Sequence, residues 1–208
     1  PARPGMTPEA GPRAGDEAHV PARDLWDAER AAAAAVDERD LVAFLRELVA
    51  VPSLDGEETA AQRTVAEWMT AEGLATDVWE IDLASLTEHP EFSCEVERDG
   101  ALGVVGWVGK NASDEGGRDL LFDGHIDVVP AGEAAAWTVD PWRGALRDGR
   151  VYGRGACDMK GGLCAALFAA KALHDAQVPL RGRVLVASVA GEEDGGLGTL
   201  ATLLRGHG

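Results

Sequence analysis

The spacing of apolar side chains divides the chain into helices and strands before any single residue is weighed. Leu41, Phe44, Leu45 and Leu48 recur at i, i+3, i+4 and i+7, one stripe of a helical stretch that starts near Asp24 and runs through five consecutive alanines and Asp37–Asp40. Val51-Pro52 ends it, because the residue before a proline is pushed out of helical conformation. Another helix is expected over Glu57–Glu72, with Val65, Trp68 and Met69 on its inner face and Gly73 as its stop. Residues 75–81 alternate as a strand does, residues 82–100 read as a connecting loop, and 103–108 form a second strand. Leu120-Leu121-Phe122 is a short buried strand, and Arg150–Gly153 is a short extended piece. Gly162–His174 is a helix of small apolar residues, and Val184–Val189 is a nearly continuous aliphatic strand. Strands that alternate with helices, the later ones apolar on both faces, predict an α/β domain with a mostly parallel sheet flanked by helices.

Composition marks the edges of this domain. Five of the ten prolines lie at positions 1, 4, 8, 12 and 21, so residues 1–23 read as a disordered tail and 24–208 as the folded part. With 36 acidic and 19 basic residues the formal charge is −17, which argues against nucleic acid or an anionic membrane as a partner. No apolar run approaches the ~18 residues of a membrane span, and the first residues resemble neither a signal nor a transit peptide, so the expected location is the cytoplasm. Three cysteines, Cys94, Cys157 and Cys164, fit a reducing compartment, with Cys157 as a small packing residue. The stretch Gly106–Asn111 lacks the glycine and hydroxyl residue of a phosphate-binding loop.

Three polar clusters fall at or just after the carboxyl ends of the core strands, where open α/β sheets place ligands. They are His125-Ile126-Asp127, then Asp158, then Glu192-Glu193. One imidazole and several carboxylates form a mixed nitrogen and oxygen set suited to zinc or a similar divalent ion. Asp158 has two oxygens and is able to bridge two ions about 3.5–4 Å apart. In extended backbone His125 and Asp127 point the same way, so Asp127 either accepts the second ring N–H of His125 or reaches the same metal. Glu192 is placed to take a proton from a metal-activated water and return it to a leaving amine. Taken singly, His-x-Asp arises often by chance, Glu192-Glu193-Asp194 reads as a solvated acidic loop, and Asp158 as a turn or cap residue. Lys160 reads either as a neutraliser of this cluster or as a surface lysine; Trp137 and Trp142 read as pocket rim or core.

The segments Leu121–Pro130, Trp137–Trp142, Asp148–Gly162 and Gly191-Glu192-Glu193 resemble the zinc-dependent aminoacylase and carboxypeptidase family, which includes acetylornithine deacetylase and succinyl-diaminopimelate desuccinylase. The resemblance runs from about Asp37 to the last residue. It implies two zinc ions, with cobalt or manganese as substitutes. His125 would bind one, Glu193 the other and Asp158 both, with Glu192 as general base and Asp127 orienting His125. It also implies a cis peptide between Asp158 and Met159, hydrolysis of an N-acyl amino acid or dipeptide, and a homodimeric full-length protein. Family members carry a further acidic ligand, a lid and a late histidine; this chain stops 15 residues after Glu193, too early for His207 to match that histidine. The expectation is therefore part of a dinuclear zinc hydrolase catalytic domain, able to bind zinc weakly and inactive by itself. The rival readings are a carboxypeptidase or dipeptidase with the same chemistry, and a metal-binding module without activity.

Overall fold

The computed structural model describes residues 27–111 and 117–208, so the expected tail at 1–23 lies outside the described residues. Helix α1 covers Asp27–Ala34, and α2 covers Glu38–Ala50. The Asp37 carboxylate caps α2 by accepting from the backbone N–H groups of Arg39 and Asp40. After α3 (Thr59–Ala71) come β1 (Ala75–Glu80), the single-turn α4 (Leu83–Leu86) and β2 (Leu102–Val108). Strand β3 (Leu120–His125) is followed by a small hairpin, β4 (Ala145–Arg147) and β5 (Arg150–Tyr152). Then come α5 (Gly161–Asp175), β6 (Val184–Val189) and α6 (Leu197–Arg205). Among the described residues no helix is long and apolar enough to cross a membrane.

The main sheet has the order β1-β2-β6-β3. Its class is α/β with flanking helices, as expected, but the expected mostly parallel pairing is corrected. Only β3 and β6 run parallel, while β1 with β2 and β2 with β6 are antiparallel. The reason lies in the connections. A parallel neighbour needs a long crossover, usually helical, and only α5 provides one between strands of this sheet. Two elements were not legible as such: α4 within the expected loop, capped by Asp82, and α6, which begins directly after a glycine-rich turn.

Alternation along β6 separates two cores. Val186 faces a cluster with α2, α3 and α5 (Leu48, Val65, Met69, Leu163, Leu167), whereas Leu185, Ala187 and Val189 face the other side with Trp79, Trp107 and Leu121. Phe44 stacks on Trp68 at 4.9 Å between ring centroids and Trp68 meets Phe168 at 4.9 Å, locking α2, α3 and α5 together. Leu48 is fully buried, so truncating it to alanine costs ~2–5 kcal/mol.

One register detail positions the chemistry. His125, the last residue of β3, pairs with Val189, the last residue of β6, and Ile126 N–H continues the ladder to Val189 O at 2.9 Å. The two parallel strands therefore end level, and the chains leaving them, His125–Asp127 and Gly191–Glu193, emerge side by side.

Candidate metal centre

His125 is 4% exposed and Asp127 fully buried, whereas Asp158, Glu192 and Glu193 are exposed. The structure brings all five residues together. His125 Nε2 lies 3.2 Å from Asp158 Oδ1 and 3.9 Å from Glu192 Oε2. One ligand atom each from His125, Asp158 and Glu193 lie within 4.8 Å of one another. Burial of the His125 ring disfavours its charged form, but the Asp127, Asp158 and Glu192 carboxylates outweigh this and raise its pKa.

The Asp127 carboxylate does not take the second ring N–H of His125. His125 Nδ1 meets the backbone carbonyl of Asp127 at 3.0 Å, and its carboxylate only at 3.8 Å. The carboxylate Oδ2 instead accepts the backbone N–H of Glu193 at 2.9 Å, tying the end of β3 to the turn after β6. The strand exit is braced from behind by Ser53, whose hydroxyl donates to Ile126 O at 2.6 Å and whose carbonyl accepts from Val128 N–H at 2.9 Å.

Asp158 stands in an irregular helical segment, Ala156–Lys160, entered through Gly155 at φ +78°. A Cβ at Gly155 would lie 2.5 Å from Val128 Cγ1, so only glycine fits this approach. The Asp158–Met159 peptide is cis, as the resemblance implies. Lys160 is not a surface residue. It is fully buried and donates to Leu48 O at 2.8 Å and Val51 O at 2.9 Å, the carbonyls at the end of α2. A cation suits that negative helix end, although burial still pushes the Lys160 pKa down to about 8.

Several other expectations are corrected or resolved. Cys157 is exposed rather than packed, because it sits on the outer side of the segment that presents Asp158. Trp137 is half-buried, donates from Nε1 to Ala131 O and lies under the Arg154 guanidinium at 5.6 Å, away from the main cores. His207 lies by Trp79 and Trp107 and pairs with Asp77 at 2.9 Å, on strands remote from β3. A cavity of about 1000 Å³ is lined by Asp55, Phe92, Cys94 and Arg98, and none of the five residues lines it. Asp55, Glu58, Arg98 and Asp194 escaped the sequence reading. Asp194 extends an acidic run and Arg98 follows Glu95-Val96-Glu97, and nothing in such charged stretches says which side chain turns inward.

The donor set fits a divalent ion. It offers one imidazole nitrogen and carboxylate oxygens within one ion's reach, and among the described residues none of Asp158, Glu192 and Glu193 pairs with Lys or Arg. Asp127 Oδ1, buried at the same place, has no hydrogen-bond partner, a further unbalanced polar atom beside the cluster.

Residues 121–207 match the sequence model of the peptidase family M20/M25/M40. The N-formyl-4-amino-5-aminomethyl-2-methylpyrimidine deformylase of Halalkalibacterium halodurans is 33% identical over 174 residues, covering 82% of this chain and 37% of that protein. The succinyl-diaminopimelate desuccinylase of Methylorubrum populi is 34% identical over 160 residues, covering 77% and 37%. An M20 family metallo-carboxypeptidase from Sulfolobus solfataricus superimposes with a TM-score of 0.56 at 26% identity, over 75% of this chain and 31% of that one. The chain thus spans little more than a third of the length of these curated relatives.

Proposed function

The chain belongs to the M20/M25/M40 peptidase family, and on that premise we propose that it carries the metal-binding part of a hydrolase that cleaves the amide of an N-acyl amino acid. The observation that carries this reading is the meeting of His125, Asp158 and Glu193 ligand atoms within 4.8 Å, with Glu192 beside them. His125, Asp158 and Glu193 would hold zinc, Asp158 being the residue shared where a second ion binds. Bound zinc supplies a Lewis acid that polarises the amide carbonyl and makes water acidic enough to attack.

The chain's own groups perform the proton work and the positioning. Glu192 takes the proton of the attacking water and passes it to the departing amine. His125 keeps Nε2 turned toward the acids because its Nδ1–H is held by a carbonyl. The Asp127 carboxylate holds the backbone of Glu193, so that a metal ligand and the general base next to it share one rigid mount. Both sequence relatives named above remove an acyl group, which supports a deacylase over a carboxypeptidase. In the whole protein, Glu192→Gln should lower turnover by ~10²–10⁴-fold at unchanged zinc content. Assays on succinyl-diaminopimelate, N-acetylornithine and dipeptides side by side separate the substrate classes, and undiminished turnover in Glu192→Gln contradicts the assignment.

A further inference from the structure

The turn that carries Glu192 and Glu193 has a second, hidden mount. Asp194 follows them directly and turns inward, 6% exposed where both glutamates are exposed. Its Oδ2 accepts from Arg98 Nη2 at 2.6 Å, while Nη1 of the same guanidinium donates to Glu58 Oε1 at 2.6 Å. All three side chains are at most 4% exposed. Glu58 is fixed in turn at the start of α3 and accepts Gly56 N–H at 3.0 Å. A guanidinium is planar and its prongs have fixed directions, so anchoring one on Glu58 dictates where the carboxylate on the other must sit. The turn closes over this group: Gly191 has φ +68°, and a Cβ there would lie 2.9 Å from Arg98 Nη2. Glu95 N–H adds a bond to Asp194 O at 3.2 Å.

We infer that Arg98, acting through Asp194, is a positioning residue that sets the Glu192-Glu193 turn against His125 and Asp158. The inference deepens the metal-centre reading above and rests on it for its effect on zinc. Charge balance separates this role from general support of the fold. The triad holds two carboxylates and one guanidinium, so removing either acid leaves Arg98 in a neutral pair and strands no buried charge. A clamp that only supports the fold lowers global stability without loosening the turn in particular. A clamp that positions the turn loosens it most when Asp194, its direct link, is lost, and less when the Glu58 anchor behind Arg98 is lost.

The test compares Asp194→Ala, Glu58→Ala, Asp194→Asn and Arg98→Lys in the full chain, by zinc titration calorimetry and by metal-free hydrogen exchange over residues 191–196. Asp194→Ala should weaken zinc binding by ~10–100-fold and speed exchange at the turn. Asp194→Asn, which keeps an acceptor for Arg98, should stay within a few-fold of the parent, and Glu58→Ala, which leaves Arg98 held at one prong only, should fall between Asp194→Asn and Asp194→Ala. Arg98→Lys, whose single ammonium lacks the fork, should reproduce the Asp194→Ala effect, and it decides the matter if Asp194→Ala does not fold. Unchanged turn exchange in Asp194→Ala, or a larger loss in Glu58→Ala than in Asp194→Ala, overturns the inference. A parent chain that binds no zinc overturns the metal reading instead, and the exchange comparison still decides whether the clamp exists.

Discussion

His125 and Asp127 meet through the backbone and not through the carboxylate: the ring Nδ1 is 3.0 Å from the Asp127 carbonyl oxygen and 3.8 Å from Oδ2. A carbonyl has no proton to give, so Nδ1 carries a hydrogen, and Nε2, the atom facing Asp158, is the nitrogen that can bind an ion once it gives up its own proton. The carboxylate is thereby free to hold Glu193 N–H.

Asp127→Ala should therefore leave the His125 tautomer intact, since the carbonyl remains, while releasing Glu193. Zinc affinity is expected to fall by ~10–100-fold, measured by competition with a chromophoric chelator. Imidazole ¹⁵N shifts should show Nδ1 still protonated.

Lys160 joins the segment bearing Asp158 to the end of α2. Lys160→Met fills the same space but leaves the Val51 carbonyl without its donor and Leu48 O with only the Val51 N–H, at a cost of ~1–3 kcal/mol for a group left unsatisfied. Urea unfolding should show the midpoint shifted down with an unchanged slope.

Asp55 lies where burial, and then the negative charges of Asp127, Asp194 and Glu58, raise its pKa to about 6, Arg98 offsetting only part. A carboxyl raised above its unfolded value of 3.8 favours the folded state fully below pH 3.8, and that contribution is lost as pH rises through about 6. In chelator, Asp55→Asn should thus raise the melting temperature at pH 7.5, by the 2–4 °C that about 1 kcal/mol gives at this size. The gain should shrink toward zero near pH 4, as scanning calorimetry across that range would show.

Helices α2, α3 and α5 and most strands were legible from their apolar patterning: Leu41, Phe44, Leu45 and Leu48 at a helical period for α2, and the continuous aliphatic run Val184–Val189 for β6. Strand direction was not. Helix-strand alternation suggests parallel pairing, yet β1 and β2 are joined by residues 81–101, whose one-turn helix α4 provides no crossover between them. The five candidate site residues were visible because imidazole and carboxylate chemistry is concentrated at strand ends. Their supports were not visible. Arg98, Glu58 and Lys160 are charged side chains that composition assigns to the surface, and only the fold shows that carbonyls and counter-charges are waiting for them inside. The role of the Asp127 carbonyl is likewise invisible in sequence, because every residue has one.

The most direct measurement of the central claim is anomalous diffraction at the zinc edge from crystals of the chain grown with Zn²⁺. The expected result is a peak about 2.0–2.2 Å from His125 Nε2 and from a carboxylate oxygen of Asp158 or Glu193, and its loss in His125→Ala. A peak elsewhere, such as between His207 and Asp77, or none at all at saturating zinc, would contradict the account.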